Sequence, residues 1–220
     1  MKMTNKSRLV MVLAFAFASG ALLAGCGTDG AVVAGGIDAG SGAVAGSGAE
    51  SGGSAAASET GGPVVEITME GGGTIDIALD AEAAPITTAN FLKLVDAGFY
   101  DGLTFHRIIP GFMIQGGDPE GTGMGGADEE IKGEFADNGW DNPISHKRGV
   151  ISMARSQSPN SASSQFFITN ADADFLDGQY AAFGTVISGM DVVDEISAAP
   201  TKAGDAPESP VVIKTIRRAS

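Results

Sequence analysis

The sequence predicts a mostly-β domain, an antiparallel barrel or sandwich with helices at its ends. Short apolar runs alternate with glycine-rich turns from residue 63 to the end, whereas only two stretches have helical periodicity. No strand–helix–strand alternation is visible, which argues against a parallel sheet. The 158 residues from 63 to 220 are enough to enclose one well-filled core.

The domain begins with a predicted hairpin and a predicted helix. VVEITM (64–69) and TIDIAL (74–79) alternate apolar and polar residues around the turn at 70–73. A helix is expected to open at Pro85 and to close at Gly98, because both residue types are typical of those positions. Its apolar face is predicted to consist of Ile86, Ala89, Leu92 and Val95.

The remaining elements are shorter and follow one another closely. The runs LTFHRI, GFMIQ, GVISMA, QFFIT and AAFGTVI read as strands separated by turns. MDVVDEIS (190–197) predicts a short helix with Val192, Val193 and Ile196 on one face, and PVVIKTIRR (210–218) predicts the last strand. Pairing of the first strand with the last would close a barrel and remove its exposed edges.

The first 62 residues indicate export and tethering rather than a folded unit. Residues 1–25 combine three cations with an apolar run and are interpreted as a signal peptide, although 9–24 could also form a retained membrane helix. LAGC ends that run and resembles the lipobox of bacterial lipoproteins, which implies lipidation of Cys26. Residues 26–62 are rich in Gly, Ala and Ser and predict a flexible linker. We therefore expect a lipid-anchored protein of the bacterial cell envelope, on the extracytoplasmic side.

Composition excludes several classes of function. The net charge is −14, and because residues 1–25 hold three cations and no acid, the rest of the chain carries −17. Such a surface is unsuited to nucleic acid. A single cysteine excludes internal disulfides and a cysteine-based zinc site, and two histidines without carboxylates at ligand spacing predict no metal. No cofactor is expected, and we expect a monomer.

One stretch reads as the wall of a site. FHRIIPGFMIQGGD (105–118) places Arg107 and Gln115 within an apolar run, although burial of an unpaired charge is costly. Serines are dense at 156–164, but no G-x-S-x-G elbow accompanies them, so a hydrolase is disfavoured. Residues 121–126 fit G-x-G-x-x-G without the strand and helix that a nucleotide site requires.

Rotation about an Xaa-Pro bond suits an apolar pocket with one Arg and one amide. The barrier of about 20 kcal/mol comes from amide resonance, and crossing it needs no nucleophile, metal or proton transfer. The nitrogen becomes pyramidal and gains a lone pair only in the twisted state, so a guanidinium near it would favour that state.

The motifs resemble the cyclophilin family of peptidyl-prolyl isomerases. FHRIIPGFMIQGGD is preceded by NF and GFYDGLTFHR and followed by GTG (121–123), SMAR (152–155), SQFFIT (164–169) and FLDGQYAAFG (175–184). The resemblance covers residues 63–220 and implies a closed eight-stranded antiparallel β-barrel capped by two α-helices. It implies that Arg107, Gln115 and Phe112 are catalytic. The implied substrate-binding residues are Met113, Gly121, Thr122, Ala154, Arg155, Ser156, Phe167, Phe175, Leu176 and Tyr180.

The sequence departs from the eukaryotic family pattern at a few positions. Phe175 stands where those members have Trp, Tyr180 where they have His, and Arg155 near an expected Asn. The implied activity is Xaa-Pro isomerisation in exported or cell-surface proteins, with proline-containing polypeptides as partners. The alternative is a non-catalytic module or holdase that binds proline peptides on the same fold.

Overall fold

The structure is a computed structural model that describes residues 62–219, so the predicted signal peptide, Cys26 and nearly all of the linker lie outside the described residues. Eight strands form one antiparallel sheet, and two further strands form a small hairpin. The strands are β1 (Val64–Met69), β2 (Thr74–Leu79), β3 (Arg107–Ile109), β4 (Met113–Gly116), β5 (Val150–Met153), β6 (Phe166–Thr169), β7 (Ala182–Ser188), β8 (Thr201–Lys202), β9 (Ala206–Pro207) and β10 (Ile213–Arg218). The helices are α1 (Pro85–Asp96) and α2 (Met190–Ser197).

The sheet is curled but open. Its order is β10-β1-β2-β7-β5-β6-β4-β3, so the first strand does pair with the last, as predicted. The edge strands β10 and β3 form no ladder with each other; Thr104 makes isolated bridges to Asp118 and Val212 instead. The expectation of eight antiparallel strands and two helices is confirmed, whereas a closed barrel is not. β3 itself spans only three residues and has no ladder to β10. The chain just before β3 meets this edge through a few backbone hydrogen bonds, of Gly102 and Leu103 with Ile213 and of Phe105 with Val211.

The core lies between the concave face of the sheet and the helices. It is built from alternate residues of the strands, and its centre is an aromatic group in which the ring of Phe91 lies 5.1–5.5 Å from the rings of Tyr100, Phe166 and Phe183. Within residues 62–219, neither helix is both long and apolar enough to cross a membrane.

Only two of the four residues predicted for the apolar face of α1 are buried. Leu92 and Val95 are buried, but Ile86 is 39% exposed and Ala89 is also exposed. The first turn instead buries Thr87, whose backbone N–H and hydroxyl donate hydrogen bonds of 2.8 and 2.7 Å to the Glu134 carboxylate. Because a buried carboxylate requires hydrogen-bond donors around it, Glu134 favours the burial of Thr87 over that of Ile86.

Candidate active site

The candidate site begins with a row of residues that crosses four strands. Arg107 lies opposite Gln115, Gln115 opposite Phe167, and Phe167 opposite Ser152. Directly opposed residues of antiparallel strands share one face of a sheet. The neighbouring row of Ile108, Ile114, Ile168 and Ile151 belongs to the main core. The row with Arg107 therefore faces away from the core.

A second, separate apolar cluster lies on this outer face. Its members come from β4, β6, the 3₁₀ turn at Asp174–Leu176 and the segments around them. The cluster contains buried Met113, Phe167, Ala173 and Leu176, with partly buried Ile109, Phe112, Ala154 and Tyr180 packed against it. Six of these eight were predicted from the sequence; Ile109 and Ala173 were not.

Aromatic rings border this cluster. The ring of Phe175 lies 5.4 Å from that of Phe112 and is 57% exposed, so it is available to a ligand. The rings of Tyr180 and Phe167 meet edge to face at 5.9 Å. Together with buried Met113 and Leu176, these rings provide an apolar surface of the chemistry that suits a proline ring.

Polar groups stand at the edge of the cluster. Arg107 is only 22% exposed, and its Nε and Nη2 lie 3.2 Å from the carboxylate of Asp205. Gln115 donates a 2.8 Å hydrogen bond from Nε2 to Gln165, whose own amide donates to the carbonyl of Gly125 at 2.7 Å. These contacts hold the amide of Gln115 in one place, beside Arg107.

Comparison with known proteins identifies the family. Residues 64–218 match the family described as cyclophilin type peptidyl-prolyl cis-trans isomerase/CLD. The chain belongs to the cyclophilin-type peptidyl-prolyl cis-trans isomerases. It is 44% identical over 142 residues to such an isomerase of Schizosaccharomyces pombe. The aligned region covers 64% of this chain and 90% of that protein. It is 48% identical over 116 residues to peptidyl-prolyl cis-trans isomerase B of Bacillus subtilis, covering 53% and 78%.

Solved structures agree with this assignment. A crystal structure of a cyclophilin-type isomerase of Cryptosporidium parvum matches with a TM-score of 0.67 and 33% identity, over 72% of this chain and 98% of that one. A second structure of that protein, obtained in the presence of the dipeptide Ala-Pro, matches with a TM-score of 0.66 and 34% identity.

Arg155 has a largely structural position in this cyclophilin. Its Nε and Nη2 both donate to the carbonyl of Gln179, at 3.0 and 2.9 Å. Its guanidinium lies over the rings of Phe135 and Tyr180, 5.1 and 4.7 Å from their centroids. Arg155 thus holds the ring of Tyr180 in place beside the cluster. Its neighbour Ser156, also a predicted site residue, bonds to Ser161, with 2.7 Å between the two hydroxyl oxygens.

The predicted residues Gly121 and Thr122 lie in a turn organised by Asp118. The buried Asp118 carboxylate accepts backbone N–H groups from Glu120, Thr122 and Gly123 at 2.8, 2.9 and 2.6 Å. Burial alone would raise the pKa of Asp118, but these donors bring it below its ordinary value. Gly121 and Thr122 are exposed, and the loop meets the site through Gly125 and Gln165.

A buried polar chain behind Phe167 was not predicted from the sequence. His146 lies 2.8 Å from Asp177 through Nδ1 and 3.0 Å from the Ser152 hydroxyl through Nε2, and its ring stacks on Phe167 at 6.1 Å. Burial lowers the pKa of His146, against the opposing effect of the Asp177 carboxylate. Burial would raise the pKa of Asp177, but hydrogen bonds from Ser145 and His146 lower it. Ser152 is fully buried, so the arrangement supports the pocket floor rather than presenting a nucleophile.

Proposed function

We propose that this cyclophilin accelerates the isomerisation of Xaa-Pro bonds without covalent chemistry, with Arg107 stabilising the twisted amide. The observation that carries the proposal is the row on the outer face, which sets Arg107 directly opposite Gln115 and next to the apolar cluster around Phe167. A cation, an amide and an apolar surface are the three features that the proposed mechanism uses.

Each part has a distinct task in the proposed mechanism. The proline ring packs on the surface formed by Phe112, Met113, Phe167 and Leu176, because burial of apolar area favours binding. The side chain of Gln115 bonds to the peptide backbone next to the proline. Arg107 then donates to the nitrogen lone pair that appears as the bond twists, or to the neighbouring carbonyl oxygen.

The site needs to lower the rotational barrier of the Xaa-Pro bond by only a moderate amount. Resonance sets a barrier of about 18–20 kcal/mol. Lowering it by about 7 kcal/mol would give about a 10⁵-fold acceleration. A donor that meets a developing lone pair contributes to the rate because it binds the twisted state better than the planar one.

Exchange NMR on a short Ala-Pro peptide tests the proposal. The full chain at catalytic concentration is expected to broaden the cis and trans signals, and Arg107→Ala is expected to abolish most of this effect. Arg217→Ala is the matched control, because Arg217 on β10 is half exposed, pairs with Asp101 and belongs to neither the row nor the cluster of the site. Binding shifts without faster exchange would instead indicate a proline-peptide binding module or holdase.

We also propose that the protein acts on exported or cell-surface proteins from a lipid anchor at Cys26. The support is the sequence alone: a cationic start, an apolar run, LAGC, and a Gly/Ala/Ser-rich linker. Metabolic labelling with a radioactive fatty acid in a bacterial host is expected to label the wild-type chain and not Cys26→Ser. Equal labelling of both would refute the anchor and leave the isomerase proposal unaffected.

A further inference from the structure

A small hairpin closes over the start of β3. β8 and β9 pair at Thr201 with Pro207 and at Lys202 with Ala206. Asp205 lies in the turn of this hairpin and has a φ of 61°. Within residues 62–219 it is the one non-glycine residue with a positive φ. Such a backbone conformation is uncommon, and Asp and Asn tolerate it better than most side chains.

Asp205 contacts β3 through its backbone and through its side chain. Its carbonyl accepts the backbone N–H of Ile108 at 2.7 Å, and its Oδ2 lies 3.2 Å from both Nε and Nη2 of Arg107. The backbone bond fixes where the carboxylate stands. The carboxylate then holds one edge of the guanidinium and leaves the two N–H groups of Nη1 outside the contact.

We propose that Asp205 is a positioning residue for catalysis, which holds the Arg107 guanidinium at the angle that the twisted amide requires. This inference rests on the proposed function. A free arginine side chain samples many rotamers, and ordering it costs conformational entropy. The planar guanidinium fork loses less of that freedom once a carboxylate has oriented it.

Asp205 has two opposing effects on the rate: it orients the Arg107 guanidinium, and its negative charge offsets part of the positive charge of Arg107. We expect the effect of orientation to be the larger. A carboxylate near Arg107 also reduces the positive potential felt by the substrate. Asp205 is 45% exposed, however, so water screens its influence beyond direct contact. Removal of Asp205 is therefore expected to slow the reaction rather than accelerate it.

Three variants of the full chain separate these effects. Asp205→Gly removes the carboxylate while keeping a residue that adopts positive φ freely. Asp205→Asn retains an oxygen acceptor and tolerates the same backbone, so it is the conservative rescue. Glu208→Ala is the matched control, because it removes an exposed acid just beyond the same hairpin.

The readouts are kcat and KM for an Ala-Ala-Pro-Phe peptide, and the Nε–H NMR signal of Arg107, assigned by its loss in Arg107→Lys. A misplacement of about 1 Å can cost about a hundredfold in rate, so loss of one orienting contact predicts about a tenfold fall in kcat for Asp205→Gly. KM is expected to stay unchanged, the Nε–H signal to broaden or disappear, and Asp205→Asn to recover most of kcat.

Other results would overturn the inference. A kcat for Asp205→Gly equal to that of Glu208→Ala, or higher than wild type, would exclude the positioning role. A higher KM with unchanged kcat would assign Asp205 to substrate binding instead. If Arg107→Ala loses activity while Asp205→Gly keeps it, the positioning role alone fails; if the wild-type chain does not isomerise the peptide, the proposed function fails as well.

Discussion

The buried carboxylate of Glu134 should be the strongest single anchor of helix α1. The residue before the helix, Ala84, has no side-chain acceptor for the free N–H groups of the first turn. Glu134 is fully buried and replaces that cap: it accepts the N–H of Ile86 at 2.9 Å, and the N–H and hydroxyl of Thr87 at 2.8 and 2.7 Å. We predict that Glu134→Ala strongly destabilises the fold without changing the chemistry of the site.

The magnitude follows from the donors that lose their partner. The buried backbone N–H and hydroxyl of Thr87 and the partly buried N–H of Ile86 lose their acceptor. An unpaired buried group costs about 1–3 kcal/mol, so a loss of about 4 kcal/mol is expected, most of it from Thr87. For a domain of this size, about 2–4 °C in Tm corresponds to 1 kcal/mol, which predicts a fall of about 8–16 °C. Urea and thermal unfolding followed by circular dichroism measure both quantities.

The chain provides a matched control for this experiment. Glu129 also contacts α1, through an ion pair with Lys93 at 2.6 Å, but both side chains are more than half exposed. Exposed ion pairs are screened by water and contribute little to stability, so Glu129→Ala should change Tm by only a few degrees. Glu134→Ala with a Tm equal to that of Glu129→Ala would refute the assignment of Glu134 as a buried cap.

Two further predictions concern the histidines and the pocket floor. Burial lowers the pKa of His146 and of His106, so below an ordinary pKa of about 6.5 the unfolded chain binds more protons than the folded one. The free energy of unfolding should therefore fall as the pH drops from about 6.5 towards 5. The ion-paired aspartates titrate at lower pH and do not contribute in this window. Urea midpoints measured at about pH 7.5 and 5.5 test the prediction, and equal midpoints would contradict it. Phe167 is 5% exposed, so Phe167→Ala should cost about 3–5 kcal/mol and most of the isomerase activity, whereas Phe167→Leu should keep the fold. Retention of activity by the Ala variant in the exchange assay would show that the ring is not the pocket floor.

The apolar part of the site could be predicted from the sequence because its residues cluster in recognisable motifs. Phe112 and Met113 belong to one motif and Phe167 to another, and the structure packs all three into one cluster. Asp205 and Glu134 carried no such signal. Each acts through a contact with a residue far away in sequence, Arg107 in one case and Thr87 in the other. A short polar residue in a turn or loop has the same local appearance whether or not it reaches such a partner.

Local patterns in the sequence predicted the eight strands of the main sheet, the turn at 70–73, the two helices and their order along the chain, but not the β8–β9 hairpin. These features depend on neighbours within a few residues, where alternation, periodicity, Pro and Gly act directly. Only the tertiary structure decided that the sheet stays open between β10 and β3, that α1 turns Thr87 rather than Ile86 inward, and that Arg107 is held by Asp205. Those outcomes depend on burial and charge pairing between distant segments, whose energies exist only once the chain has brought them together.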